Sequence, residues 1–377
     1  MNKGINIPTG WIEVRIGNLC KSLVPGRNKP KIFDGDIPWV NTPDINSRYI
    51  PLSNHAICIT KEEVKNCGGK IVPAGAVVMA CVGDLGLVAI TIKDIVINQQ
   101  LHAFVCPENI YNEYIAYSLK AQKSQMYKLA SLTTIPYLNK SNCESLEILL
   151  PPLQEQKAIA DILEKWDEAI EKTSKLIEEK KKRFEWIRTE LLDQFKNKNW
   201  QISRLSKIST IKKGEQLNRS ELEGFGDYPA WNGGINPSGY TDKWNTLENT
   251  ITISEGGNSC GFVNYCEQKF WCGGHCYSLL DVSKKIDPEF LYYFLKSKEK
   301  SIMRLRVGSG LPNIQKKDID KLEVSYPELP QQKQIAKTLN TAKKEITILE
   351  EILGKYKSQK KGLMQKLLTG KIRVLHD

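Results

Sequence analysis

The chain has 377 residues, which is enough for two globular domains with their own cores, and a formal net charge of +11 that suits an anionic partner. It contains no apolar run long enough to cross a membrane and does not start with the pattern of a secretory signal, so we expect a soluble, cytoplasmic protein. Without such a signal, its ten cysteines favour reduced thiols over a disulfide framework.

Residues 1–150 are predicted to form a globular part built from short strands and polar loops. Residues 11–20 mix β-branched and aromatic side chains and lead into a basic turn at residues 26–31. Residues 71–97 alternate apolar strands with glycine turns, and residues 112–129 have helical spacing. A last strand is expected at residues 146–150.

Residues 151–195 carry the periodicity of a long coiled-coil helix. After two opening prolines there is no Pro or Gly, and apolar residues recur three and four positions apart, with breaks only at Thr173 and Lys180. At 1.5 Å per residue the helix would be roughly 60 Å long, and it would need a partner with a matching stripe. The seam is Ile159, Leu163, Trp166, Ile170, Ile177, Phe184, Ile187 and Leu191.

The second half of the chain repeats the first. A shift of 176 places a second seam over the first and places Glu113, Tyr117, Leu119 and Lys120 over Glu289, Tyr293, Leu295 and Lys296. Trp200 matches Trp11 at a shift of 189, so the second globular part is 13 residues shorter inside. The sequence therefore indicates a tandem duplication. The second seam is Ile335, Leu339, Ala342, Ile346, Leu349, Leu353, Tyr356, Leu363 and Leu367.

The elements of the second part follow the same plan. The basic turn is expected again at residues 212–216, Gly/Asn-rich loops at residues 231–236 and 254–258, and a helix at residues 291–305. Residues 331–377 hold 11 basic and 4 acidic side chains and so carry +7 of the net charge. This surplus is typical of a solvated lysine face, and it also suits a helix that lies near nucleic acid or an acidic partner.

The duplication predicts an α+β fold of two tandem-repeat α/β domains joined by two long antiparallel coiled-coil helices with an approximate two-fold axis. Its predicted boundaries are residues 1–150 and 199–326 for the globular domains and residues 151–198 and 327–377 for the helices, the last with a C-terminal tail. Two equivalent domains at a fixed separation suit a DNA duplex with two half-sites, and their sequence differences would make the target asymmetric.

Several motifs resemble the specificity subunit of type I restriction–modification enzymes, over nearly the whole chain. They include the paired junctions ILLPPLQEQKAIA at residues 148–160 and YPELPQQKQIA at residues 326–336. The segments IPYL at residues 135–138 and LPNI at residues 311–314 precede the last strand of each part, and KLLTGKIRV at residues 366–374 closes the match. The second junction departs from the usual pattern, since Glu328 stands where the first has Pro152.

The resemblance implies two target-recognition domains, two spacer helices and no catalysis in this chain. Two methyltransferase subunits would dock on the helices, bind S-adenosylmethionine and methylate adenine in double-stranded DNA, and restriction subunits, which combine motor and nuclease, would cut it. This chain would bind no cofactor, metal or membrane. The residues agree with a non-catalytic role, because Pro151-Pro152 lacks the polar and aromatic neighbours of a base-flipping methyltransferase motif.

Neither a metal site nor a phosphate-binding fingerprint is strongly indicated. Cys260, Cys266, Cys272, Cys276 and His275 crowd one segment, but only Cys272 and Cys276 have the usual zinc-ligand spacing, so buried thiols are favoured over zinc. The pairs Gly233-Gly234 and Gly256-Gly257 match no cofactor or nucleotide motif.

Loop residues with base-pairing chemistry are the candidates for DNA contact, and we expect about a third of them to touch DNA. In the first part they are Arg27, Asn28, Lys29, Asn41, Thr42, Asp44, Asn98, Gln99 and Gln100. In the second part they are Lys212, Lys213, Gln216, Asn218, Arg219, Asn232, Asn236, Asn258 and His275.

Two other functional hypotheses stay open at this point. A DNA methyltransferase with its own recognition domain is disfavoured by the missing catalytic motif. A coiled-coil adaptor without a DNA role is disfavoured by the polar loops repeated in both halves. The sequence does not specify the bases recognised, since direct and shape readout follow no linear code.

Overall fold

The computed structural model describes residues 7–50, 57–131, 135–192, 199–218, 222, 224–308, 310 and 312–374. The chain forms two compact units: unit 1 comprises residues 1–173 and 352–377, and unit 2 comprises residues 174–351. The division between the units passes through both long helices. Each unit therefore contains one globular part together with segments of both helices.

The first globular part consists of short strands and helices that lead into the first long helix. Its elements are β1 (Ile12–Arg15), α1 (Ile16–Leu19), β2 (Lys21–Leu23), β3 (Ile37–Val40), β4 (Cys58–Ile59), α2 (Lys61–Asn66), β5 (Val77–Ala80), β6 (Val88–Ile90), β7 (Val96–Ile97), β8 (Leu101–Val105), α3 (Asn112–Ala121), α4 (Lys123–Leu129), α5 (Lys140–Glu144) and β9 (Glu147–Leu150), followed by the long helix α6 (Leu153–Leu192).

The second globular part repeats this order, except that its described residues form no helix at the place of α2. Its elements are β10 (Gln201–Arg204), α7 (Leu205–Ile208), β11 (Thr210–Lys213), β12 (Tyr228–Trp231), β13 (Gly239–Thr241), β14 (Thr250–Ser254), β15 (Val263–Cys266), β16 (Trp271–Cys272), β17 (Cys276–Leu280), α8 (Pro288–Ser297), α9 (Glu299–Met303), α10 (Lys316–Asp320) and β18 (Glu323–Tyr326), followed by the long helix α11 (Leu329–Leu367).

The sheet topology is the same in both parts. Each has a four-stranded antiparallel sheet, ordered β2-β8-β5-β6 in the first part and β11-β17-β14-β15 in the second. Each also has a three-stranded sheet, β4-β3-β7 and β13-β12-β16, in which β3 pairs parallel with β7 and β12 pairs parallel with β16. A two-stranded pair, β1-β9 or β10-β18, leads from each part into its long helix. The matching strand orders support the duplication predicted from the sequence.

The main core of each unit joins its sheet to the long helices. In unit 1, Phe104 of β8 and Tyr114 of α3 belong to one buried cluster with Leu163 of α6 and Leu367 and Leu368 near the end of α11. In unit 2, a corresponding cluster contains Phe290 and Phe294 of α8, Leu339 of α11 and Leu192 of α6. Burying such side chains is the main favourable term in folding, so neither globular part has a complete core without its helix segments.

Within each unit the two long helices run antiparallel. In unit 1, the Trp166 ring meets the Tyr356 ring edge-on at 5.7 Å between centroids, and Lys360 forms an ion pair with Asp167. In unit 2, Lys180 forms an ion pair with Glu345 at 2.5 Å, and Lys181 forms one with Glu350 at 2.6 Å. Phe184 and Ile187 come later in α6, and they line a groove with Thr338 and Thr341, which come earlier in α11. The two helices therefore run in opposite directions. All seam residues predicted from the periodicity are buried or half-buried.

Each long helix begins with the same anchoring glutamine. Gln156 is 2 % exposed; its Nε2 donates to the Pro151 carbonyl at 2.9 Å, and its Oε1 accepts from the Tyr111 amide at 2.9 Å. Gln332 is fully buried, donates to the Pro327 carbonyl at 2.8 Å and accepts from the Asp287 amide at 2.8 Å. Each side chain thereby fixes its long helix to the segment before α3 or α8, at positions that the shift of 176 matches.

The structure differs from the sequence-based expectations at several elements. The helix expected at residues 112–129 is divided into α3 and α4 at Gln122, and α8 and α9 are likewise separated at Lys298. Lys212 and Lys213, predicted in a basic turn, are the last residues of strand β11, because the alternating segment Thr210–Lys213 pairs with β17. Ile170 is half-buried, like Trp166 and Phe184 of the same seam, and borders a surface pocket of unit 1.

Candidate nucleic-acid interface

The candidates of the first part meet in one group of loops, termed the first loop cluster: residues 26–31, 41–44 and 98–100. Strands β3 and β7 are parallel, so the residues that follow them, Asn41 and Asn98, lie side by side. The Asn98 amide donates to the Val40 carbonyl at 3.0 Å, and its Nδ2 donates to Asn41 Oδ1 at 3.0 Å. Asn98 is 8 % exposed, so its main role is to hold Asn41 in place.

Neighbouring side chains extend this amide network towards solvent. Thr42 Oγ1 donates to Gln100 Oε1 at 3.1 Å, and the Gln100 side chain is exposed. Asp44 Oδ2 accepts from the Asn41 backbone amide at 2.7 Å and closes the 3-10 turn Thr42–Asp44. The carboxylate of Asp44 therefore shapes the loop that presents Asn41 and Thr42.

The basic turn is tied to the same cluster by Gln99. Gln99 Nε2 donates to the Gly26 carbonyl at 2.9 Å and to the Asn28 carbonyl at 3.2 Å. The Arg27, Asn28 and Lys29 side chains remain exposed, and the Lys29 Nζ lies 5.7 Å from the centroid of the Trp39 ring. Basic and amide side chains that are far apart in sequence are thus presented together, as contact with phosphates and base edges requires.

The second loop cluster comprises residues 213–216, 232–236, 255–258 and 273–275. Strands β12 and β16 are parallel, and Asn232 follows the first as Asn41 follows β3. Asn232 Oδ1 accepts from the His275 backbone amide at 3.1 Å. Gly233 has a φ of +86°, and a Cβ there would lie 2.6 Å from the His275 carbonyl oxygen, so the close approach of these two loops needs glycine.

A buried carboxylate lies at the centre of the second loop cluster. Glu255 is 9 % exposed, and its Oε1 accepts from Lys213 Nζ at 2.6 Å and from the Tyr277 hydroxyl at 3.1 Å. Its Oε2 lies 3.8 Å from His275 Nδ1. Burial, and then the Glu255 charge, raise the pKa of Tyr277, so this phenol stays protonated and donates.

The remaining candidates of the second part lie on or beside these loops. Gln216 packs against Gly274, where a Cβ would come within 2.9 Å of Gln216 Oε1, and the Lys212 Nζ lies 3.5 Å from Glu215 on the exposed side of β11. Asn218, Asn236 and Asn258 are exposed loop residues. Arg219 lies outside the described residues.

The two clusters are equivalent in backbone but differ in chemistry. The Cys81 amide donates to the Gln100 carbonyl at 2.8 Å, just as the Glu255 amide donates to the His275 carbonyl at 2.9 Å. Position 81 therefore corresponds to position 255, and a cysteine beside the first cluster stands where the second cluster has a carboxylate. Sequence reasoning did not select Glu255 as a site residue, although a carboxylate between a buried strand and a Gly-Gly pair was an available signal.

The cysteines of the second part are buried thiols, as the sequence favoured. Cys260, Cys266, Cys272 and Cys276 are all buried and unbridged. Burial raises the pKa of the Cys266 thiol to about 12, so it remains protonated at neutral pH. In the part of the chain that the structure describes, no group of three or more Cys, His, Asp or Glu side chains is arranged to hold a metal ion.

The comparisons with known proteins agree with this architecture. The family described as "Type I restriction modification DNA specificity domain" matches residues 8–180 and again residues 197–355. The MjaVIII type I restriction enzyme specificity subunit of Methanocaldococcus jannaschii is 26% identical over 423 aligned residues, covering 98% of this chain and 95% of that protein. A type I specificity subunit of Mycoplasma genitalium is 38% identical over 147 residues, which is 38% of each chain.

Solved structures show the same fold. The crystal structure of a type I restriction–modification S subunit from M. genitalium has a TM-score of 0.66 at 21% identity and covers 98% of both chains. The HsdS subunit from Thermoanaerobacter tengcongensis has a TM-score of 0.51 at 18% identity, covering 99% of this chain and 100% of that one.

Two tandem specificity-domain matches and the fold of solved S subunits define the class of type I specificity subunits. This chain belongs to the family of type I restriction–modification DNA specificity domains. Its curated relatives are named as specificity subunits, a non-catalytic component, and not as methyltransferases or nucleases. Among the described residues, no helix is long and apolar enough to span a membrane.

Proposed function

We propose that this chain reads a bipartite, asymmetric DNA target, one half-site through each loop cluster, and docks the subunits that act on the DNA. The observation that carries the proposal is the equivalence of the two clusters: the same backbone framework presents Asn41 and Gln100 in one part and Asn232 and His275 in the other. Different side chains on an equivalent framework suit two half-sites of different sequence.

The partners in this proposal are those that the resemblance to type I specificity subunits implies. Two methyltransferase subunits would dock on the long helices and bring S-adenosylmethionine, and restriction subunits would join through them. This chain would bind no cofactor of its own. One solved structure of the same fold, with a TM-score of 0.59 at 17% identity and coverage of 98% of this chain and 100% of that one, concerns complex assembly and conformational transition of the type I R-M system.

Methylation mapping in cells that carry the complete system tests the division of labour between the clusters. Asn232→Ala with Asn236→Ala should relax the sequence requirement in one half-site only, because base-edge contacts contribute about 1–3 kcal/mol each. Arg27→Ala with Lys29→Ala should relax the other half-site, or weaken binding at all sequences alike if these side chains contact only phosphates. The spacing between half-sites should stay constant in every variant.

Exposed lysines outside both clusters supply matched controls. Lys128→Ala on α4 and Lys284→Ala before α8 remove a charge from the first and second part, respectively, and should leave the methylated motif unchanged. The proposal fails if the wild-type map contains no bipartite motif that depends on this chain. It also fails if the Asn232 and Asn236 changes alter both half-sites.

A further inference from the structure

The second loop cluster contains a charged group that has no counterpart in the first. Glu255 is 9 % exposed, and a buried carboxylate is costly unless a cation or hydrogen bonds compensate it. Its only close ammonium partner among the described residues is Lys213, at 2.6 Å. At the equivalent position of the first cluster stands the Cys81 thiol, whose partner is the Cys143 thiol.

The backbone around Glu255 is held on both sides, which fixes the direction of its side chain. Its amide donates to the His275 carbonyl at 2.9 Å, and its carbonyl accepts from the Ile314 amide at 2.8 Å. The Tyr277 hydroxyl donates to the same carboxylate oxygen as Lys213, at 3.1 Å. The carboxylate is therefore a fixed acceptor that holds the Lys213 ammonium.

Lys213 is the donor that this acceptor restrains, and His275 lies beside it. Lys213 is the last residue of β11; its side chain is 51 % exposed, yet its ammonium turns to Glu255. His275 is 61 % exposed in its side chain, and its Nδ1 faces the second carboxylate oxygen at 3.8 Å. An ammonium has three N–H groups, so Lys213 can keep one bond to Glu255 and direct another to a ligand acceptor.

We propose that Glu255 is a positioning residue that aims Lys213, with His275 beside it, at a guanine edge in the half-site read by the second loop cluster. Guanine presents two acceptors, O6 and N7, in the major groove, and lysine is a common partner for them. In the first cluster the corresponding strand ends present the amides of Asn41 and Gln100, which suit adenine. This inference rests on the proposed function. For one half-site it names Glu255 as the positioning residue and guanine as the base that is contacted.

The test uses the complete methyltransferase complex and compares Glu255→Gln, Lys213→Gln and the double variant. Glu255→Gln keeps an acceptor for Tyr277 and removes the charge. We expect each single variant to lower methylation of the cognate site about tenfold and to relax one G·C position in a single half-site. Since both residues act through one contact, the double variant should be no worse than the worse single variant.

Controls separate positioning from a general effect on folding. Glu248→Gln removes an exposed carboxylate at the opposite end of β14 and should leave the motif and the rate unchanged. Lys213→Arg retains a cation and should retain the half-site preference better than Lys213→Gln. If Glu255→Gln folds poorly, Lys213→Gln still tests the inference, because Lys213 is half exposed.

Three outcomes would overturn the inference: an unchanged half-site in Glu255→Gln and Lys213→Gln, a uniform loss at all sequences with no relaxed position, or additive losses in the double variant. A wild-type complex that shows no bipartite motif would instead overturn the proposed function. The two failures are therefore distinguishable in one set of methylation maps.

Discussion

At the scale of single residues, His102 makes the stability of unit 1 depend on pH. It lies in β8, is 2 % exposed, and its Nε2 is 2.7 Å from Ser22 Oγ. Burial lowers the pKa of His102 from 6.5 to about 4. Because the unfolded state binds a proton at higher pH than the folded state, the stabilisation is complete above pH 6.5 and is lost as the pH falls towards 4.

We predict that lowering the pH from 7 to 5 reduces the free energy of unfolding through His102 by about 2 kcal/mol. In His102→Gln, which can still hydrogen-bond Ser22, this part of the pH dependence should disappear. Urea unfolding of wild type and variant at both pH values measures the difference. Equal pH dependence of the two proteins would show that the His102 pKa is not depressed in the folded state.

The polar residues of the two loop clusters differ in how far the sequence alone identifies them as site residues. Asn41 and Asn232 were predicted from their chemistry in loops, and each follows a parallel strand in a polar cluster. Glu255 was not, because its importance comes from burial beside Lys213 and Tyr277, which no local pattern encodes. Asp44 was selected from the sequence as a candidate for DNA contact, and in the structure its carboxylate accepts a hydrogen bond from the Asn41 backbone amide.

At the scale of elements, the long helices were the most predictable feature. Their period reflects one face packing against a partner, so the seam could be located residue by residue. Loop-rich sheets could not be derived in this way: the strand order β11-β17-β14-β15 depends on pairings far apart in sequence. The same reason explains why Lys212 and Lys213 were expected in a turn although β11 includes them.

Two isoleucines on α11 test the helix packing. Ile346 is 9 % exposed, whereas Ile348, two positions later, is 45 % exposed. Ile346→Asp places an unpaired charge in the seam and should lower the free energy of unfolding by several kcal/mol. Ile348→Asp should change it by about 0.5 kcal/mol or less. Thermal melting of both variants is the measurement, and equal melting temperatures would exclude a packed seam at Ile346.

A second test concerns the outer face of α6. Leu176 and Trp186 are 39 % and 64 % exposed on this helix. Exposed tryptophans often dominate protein–protein contacts, so Trp186→Ala should weaken methyltransferase binding about thirtyfold. Lys172→Ala, a highly exposed position on the same helix, is the control. Co-purification at wild-type affinity would exclude this face from docking.

At the scale of the whole molecule, unit 1 is assembled from two distant parts of the chain. Leu367 and Leu368 belong to its core, and Arg373 donates to Glu155 Oε1 at 2.7 Å and to the Thr9 carbonyl at 3.0 Å. A fragment of residues 1–198 lacks these groups and exposes the seam of α6. We therefore predict that this fragment self-associates, and light scattering can measure it.

A matched pair of peptides sharpens the fragment experiment. A peptide of residues 352–374 should bind the fragment and restore a monomer, because it supplies Leu367, Leu368 and Arg373. The same peptide with Leu367→Asp and Leu368→Asp should not. A well-folded monomeric fragment without any peptide would contradict the shared core.

The contribution of residues 352–377 to unit 1 also has a consequence for synthesis on the ribosome. Residues 1–173 emerge first but cannot complete their core until the end of α11 has left the exit tunnel. The nascent chain must therefore leave the part of this core that Leu367 and Leu368 cover exposed while the whole second repeat is translated. If a ribosome stalls or shifts frame late in the message, the product lacks the end of α11 and the core of unit 1 stays incomplete. Such truncated products should be degraded by proteases before they can compete for DNA.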